Sequence, residues 1–73
     1  MSIEKDYNIL LGKLAENIKR ARIEKGLTQE DMVKFGFSYR HYQRVESGVY
    51  SPNLFTLFRL SKAFKVSVNE FFT

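Results

Sequence analysis

Near the middle of the chain, the segment from Thr28 to Gly48 (TQEDMVKFGFSYRHYQRVESG) sets the terms for everything around it. It consists of two short helix-length stretches broken by a single glycine, Gly36. The first opens on Thr28-Gln29. The second carries Tyr39, Arg40, Gln43 and Arg44 along one side and closes on Glu46-Ser47-Gly48. Two helices joined by a tight glycine turn, the second with a cationic and hydrogen-bonding outer face, have a shape and chemistry that the DNA major groove accommodates.

The rest of the chain repeats the same punctuation. No strand-like alternation is present, and the apolar spacing is helical throughout. Leu11, Leu14, Ile18 and Ala21 recur at three and four residues, which predicts a first helix from about Tyr7 to Lys25, stopped at Gly26. Thr28 then caps a short second helix, with Asp31 completing a capping box and Leu27 stapling onto Met32, up to Gly36. Ser38 caps a third, with Phe37 packed toward Tyr42 and Gly48 closing it. Ser51-Pro52 opens a fourth, with Pro52 at the first helical position and Leu54, Leu57, Leu60, Ser61 and Phe64 on the inner face. Ser67 caps a fifth, with Glu70 three residues on and Val66 against Phe71. The expected fold is all-α, five helices in one domain spanning residues 1–73.

A chain of 73 residues has room for one domain whose small core leaves much apolar surface unburied. Without cysteine it has neither a disulfide framework nor a thiolate zinc site. No apolar run approaches a bilayer span, and the start Met1-Ser2-Ile3-Glu4-Lys5-Asp6 lacks the hydrophobic stretch of a signal peptide, so a cytoplasmic location is expected and a membrane partner is not. The formal charge of +4 suits a polyanionic partner. Within Thr28–Gly48, Lys34, Arg40 and Arg44 balance Glu30, Asp31 and Glu46. The excess therefore lies in the flanking helices, where it suits phosphate contacts around a central reading element.

Helix three is the most informative element. With Tyr42 and Val45 facing the core, about 100° per residue puts Arg40, Gln43, Arg44 and Ser47 on the opposite face, with Tyr39 at its entrance. An arbitrary helix would simply solvate such a face. This one carries no acid and follows a tight turn, and Arg and Gln are the side chains that bond guanine and adenine edges bidentately. A second pair, Arg22 beside Ile18 and Glu46 beside Val45, is expected to form an inward ion pair locking helix one to helix three. His41 has no cysteine or carboxylate at ligand spacing, so no metal site is expected. No nucleophile elbow, phosphate-binding loop or paired carboxylates occur, so neither catalysis, a cofactor nor a small-molecule ligand is expected. Phe64 and Phe71 fit the core, whereas Phe55, Phe58 and Phe72 exceed what a domain of this size buries. They are the expected interface of a homodimer, the alternative being local packing that includes a Tyr50–Phe55 staple.

The run Gly26-Leu27-Thr28-Gln29-Glu30-Asp31, then Ser38 through Val45-Glu46-Ser47-Gly48, then Ser51-Pro52-Asn53-Leu54 and Leu57 to Phe64, resembles the XRE/Cro-CI family of helix-turn-helix regulators. The resemblance runs from about Leu11 to Phe72. As a free-standing domain the chain looks most like phage Cro-type repressors and restriction-modification controller proteins. The resemblance implies a lambda-repressor-like fold and a sequence-specific regulator that binds double-stranded DNA as a homodimer on paired half-sites. It implies base reading by Tyr39, Arg40 and Arg44, with Gln43 nearby, and phosphate contacts by Gln29, Ser47, Tyr50 and Asn53. It also implies a structural Arg–Glu lock at Arg22 and Glu46. An antitoxin-like interaction module of the same fold is the alternative. Two departures from the family pattern stand out. One residue fewer separates Gln29 from the turn glycine, which puts Val33 where helices two and three touch and predicts a shorter turn or a displaced helix two. Tyr42 replaces an aliphatic residue, so its hydroxyl needs a partner or a path to solvent.

Overall fold

Helix formation begins at Ser2, whose hydroxyl accepts the Lys5 amide at 3.0 Å. In this computed structural model, which describes residues 2–73 and leaves Met1 outside them, α1 runs Ile3–Glu24. It starts a full turn before the expected Tyr7, because the cap and the acids Glu4 and Asp6 in its first turn favour helix before any core residue does. At about 1.5 Å per residue, its 22 residues span about 33 Å, most of the molecule's 40 Å long dimension. Its apolar face buries Leu11, Leu14, Ala15, Ile18 and Ala21.

The five expected helical segments are present, as three α-helices and two 3-10 helices: α1, η1 (Glu30–Phe35), α2 (Tyr39–Val45), α3 (Leu54–Phe64) and η2 (Val68–Phe72). Among the described residues there is no strand. The Thr28–Asp31 capping box forms in both directions, Asp31 N to Thr28 Oγ1 at 3.1 Å and Thr28 N to Asp31 Oδ2 at 2.8 Å. The segment it opens is wound as a 3-10 helix, which accounts for the missing residue. Six residues of 3-10 helix advance about 12 Å, at least the rise of about 10.5 Å that seven α-helical residues give. Tighter winding also turns Val33 outward, 53% exposed, so it does not fill the contact expected of it. Met32 takes the core position at 0%. Gly36 closes the segment at φ +90°, a left-handed conformation that suits glycine.

Helix α2 is capped by Ser38, whose hydroxyl accepts the His41 amide at 3.1 Å, and Phe37 meets Tyr42 edge-on at 5.8 Å. Helix α3 starts later than expected. Asn53, not Pro52, is its boundary, since Asn53 Oδ1 accepts the Thr56 amide at 2.8 Å. Leu54, the first residue of α3, is 73% exposed rather than on the inner face. The cap of η2 is Ser67, accepting from Asn69 N at 3.2 Å. The core gathers Leu14, Ile18, Met32, Phe37, Tyr42, Val45, Leu57, Leu60, Phe64 and Phe71, so every segment contributes to one hydrophobic centre. No described helix is long and apolar enough to cross a membrane.

Candidate nucleic-acid interface

A helix of seven residues is too short to hold itself in place, so what fixes α2 decides what its outer face can do. Tyr42 and Val45 anchor it, at 0% and 1% exposure. Immediately after it comes Glu46, whose side chain is 2% exposed. Arg22 reaches it from α1 as a fork, Nε to Oε2 at 2.7 Å and Nη2 to Oε1 at 3.1 Å. The third guanidinium nitrogen, Nη1, donates to the Leu27 carbonyl at 2.7 Å, tying in the loop after α1. Gln29 Nε2 donates to Oε1 at 3.1 Å, and the Tyr42 hydroxyl donates to Oε2. One carboxylate thus joins α1, the entry to η1, and α2. Arg22 and Glu46 are paired across the two helices, and the Tyr42 hydroxyl shares their carboxylate.

The electrostatics follow from that crowding. Burial by itself raises the Glu46 carboxyl, but donation from Arg22, Tyr42 and Gln29 outweighs it and holds the group below the ordinary glutamate range. The hydrogen bond to Glu46 raises Arg22 against the opposing effect of its own burial. Burial, reinforced by the same carboxylate, pushes the Tyr42 phenol up. No buried side-chain polar atom among the described residues lacks a partner.

On the opposite face, Tyr39, Arg40, Gln43 and Arg44 are all exposed, as the helical spacing predicts. Arg44 packs its guanidinium 5.2 Å from the Tyr50 ring centroid. Tyr50 in turn meets His41 edge-on at 5.8 Å, with its hydroxyl 3.4 Å from His41 Nε2. His41 therefore packs locally, and Tyr50 lies against α2 rather than stapling to Phe55, which stays 67% exposed. Among the described residues no cluster of ligating side chains could hold a metal.

The four residues assigned to phosphate do not share one condition. Ser47 Oγ donates to the Arg44 carbonyl at 2.7 Å and accepts from Val49 N at 3.3 Å. Asn53 is exposed and spends only its carbonyl oxygen on the α3 cap, leaving its amide protons to the surface. Gln29 gives one amide proton to Glu46. On the surface of α3, Phe55 and Phe58 join Leu54 and Val68 around one shallow apolar cleft, and on their other side they meet Phe35 and Arg59 near the η1–α2 turn; Phe72 is exposed at 50%. Sequence reasoning missed two residues. Buried Asn17 donates to the Phe71 and Thr73 carbonyls at 2.9 and 3.3 Å, fastening η2 to α1. The signal was there, a polar residue on an otherwise apolar stripe. Arg59, whose side chain reaches the turn at Gly36, gave no such signal.

A family model described as Helix-turn-helix matches residues 18–71. An uncharacterized HTH-type transcriptional regulator, y4dJ, of Sinorhizobium fredii (strain NBRC 101917 / NGR234) is 39% identical over 61 residues, covering 82% of this chain and 79% of that protein. No solved structure matches the chain. The family match takes in the Arg22–Glu46 lock, the η1–turn–α2 unit and all of α3. The chain belongs to the XRE-type helix-turn-helix family.

Proposed function

We propose that the chain is a transcriptional regulator that binds double-stranded DNA in a sequence-specific manner, as a homodimer on paired half-sites. The observation that carries this reading is the division of α2. Its inner side is locked through Tyr42, Val45 and Glu46, and its outer side presents Tyr39, Arg40, Gln43 and Arg44 without an acid. A rigid helix with two guanidinium groups and an amide on its free face is what reading of purine edges requires. Gln29, Ser47, Tyr50 and Asn53 flank that face and serve as phosphate contacts that set register. The exposed Phe55, Phe58 and Phe72 support association of two copies, which would place two α2 helices about one helical turn of DNA apart, roughly 34–36 Å.

Selection of bound duplexes from a random pool tests the reading, returning half-site sequence, spacing and symmetry together. Arg40→Ala should cost about 1–3 kcal/mol on the selected site and relax preference at one base pair, whereas Gln29→Ala should weaken all sequences alike. Affinity should fall steeply as salt rises. Enrichment of no sequence, or an Arg40→Ala protein that binds every site variant as tightly as the parent, counts against it.

A further inference from the structure

Arg59 belongs to α3, outside the segment marked for DNA, yet its side chain reaches back to the turn between η1 and α2. Nη2 donates to the Phe35 carbonyl at 3.1 Å, and Cζ lies 4.1 Å from the centroid of the Phe37 ring. Phe35 and Phe37 bracket Gly36. A Cβ on Gly36 would stand 2.9 Å from Arg59 Nη2, so the guanidinium occupies the space that a side chain at the turn would need. A cation on the last carbonyls of a helix is also well placed against its negative end. Phe37 carries the contact onward, since its ring lies 5.8 Å from Tyr42 and 6.0 Å from His41, both on α2. Helix α2 is therefore held from two sides: by Arg22 of α1 through Glu46, and by Arg59 of α3 through the turn and Phe37.

We propose that Arg59 is a positioning residue for DNA recognition, fixing the shortened turn and, through Phe37, the tilt of α2. This rests on the reading of α2 as the helix that enters the groove. Arg59 is half-buried and folds its guanidinium back onto a buried ring and a main-chain carbonyl; a phosphate contact would instead show in the salt slope of binding. Lysine would keep the charge but lose the planar fork that stacks and donates at once.

The test compares the parent with Arg59→Met and Arg59→Lys. Each is titrated against a duplex selected by the parent and a scrambled duplex of equal length, at roughly 50 and 200 mM salt. Arg59→Met should lose about tenfold or more on the selected duplex, comparable to one bidentate base contact, and stay within about twofold on the scrambled one, with its salt slope unchanged. Arg59→Lys should follow Arg59→Met. In the free proteins, amide shifts should change from Phe35 to Gln43 and little elsewhere. Parent-like discrimination in Arg59→Met overturns the proposal. So does full rescue by lysine, or an equal loss on both duplexes with a salt slope reduced by about one, which marks a phosphate contact. Should Arg59→Met not fold, Phe37→Leu removes the ring instead, and discrimination kept there overturns the proposal equally. A parent that selects no duplex refutes the DNA reading, and the amide shifts then decide the mechanical claim alone.

Discussion

Glu46 shows how much can depend on one side chain. A carboxylate at 2% exposure is unfavourable by itself, and it becomes tolerable because Arg22, Gln29 and Tyr42 all donate to it. Removing one ionic partner leaves a buried charge, so Arg22→Met should destabilise the fold by about 3–5 kcal/mol. Arg20, exposed and bonded to Asn17 Oδ1 at 3.0 Å, should cost under about 1 kcal/mol when changed to Met. Urea melts that place the two variants together would refute the lock. The sign of the pH dependence follows from the depressed Glu46 carboxyl. The unfolded chain takes up its proton first as pH falls, near the ordinary glutamate value of about 4.3. The stabilisation is therefore complete above that value and is lost as pH falls through the lower folded value. Asp31, lowered by its hydrogen bonds to Thr28, acts with the same sign. The quantity to measure is thus the difference between parent and Glu46→Gln in melting temperature from about pH 6 to 3; parallel curves would remove Glu46 from the account.

At the level of elements, the caps at Thr28, Ser38 and Ser67 were legible, whereas those at Ser2 and Asn53 were passed over for later and earlier starts. Thr28, Ser38 and Ser67 each accept the backbone hydrogen bond their position predicts, because a cap is a local interaction that sequence encodes directly. Ser38→Ala should accordingly cost about 1 kcal/mol by thermal melt, and no change would mean that tertiary contacts alone define the start of α2. What was not legible was in part a choice between equally acceptable local options and in part a contact with neighbours distant in sequence. Six residues are too few for apolar spacing to separate 3-10 from α winding, so the outward turn of Val33 came only with the structure. The start of α3 went to Asn53 because both Pro52 and Asn53 are acceptable openings, and only the geometry of Thr56 chooses. The readable face of α2 followed from its period. Arg59 did not, since nothing local marks an arginine that folds back 24 residues to the Phe35 carbonyl.

Taken whole, the molecule is longer than its core requires. The first turns of α1 extend along the 40 Å dimension with Ile3, Tyr7, Ile9 and Leu10 exposed, joined to the body by a hydrogen bond between the Tyr7 and Ser51 hydroxyls. At another surface lies the cleft of Leu54, Phe55, Phe58 and Val68. If two copies meet there, Phe58→Lys should raise the dimer dissociation constant by about tenfold or more while leaving the melting temperature of the dilute protein nearly unchanged. Sedimentation equilibrium reads the first and calorimetry the second, and an unaltered dissociation constant would place the interface elsewhere. The 3-10 winding of η1 has a consequence for how such chains diverge. Because coil type and residue number trade against each other in setting its span, one codon gained between Glu30 and Phe35, with the segment rewound as α-helix, changes the end-to-end distance by only roughly 1.5 Å. A one-residue insertion there should disturb the cap at Ser38 and the lock at Glu46 little. Length polymorphism among related sequences can therefore accumulate at this point of the domain while α2 stays where it is.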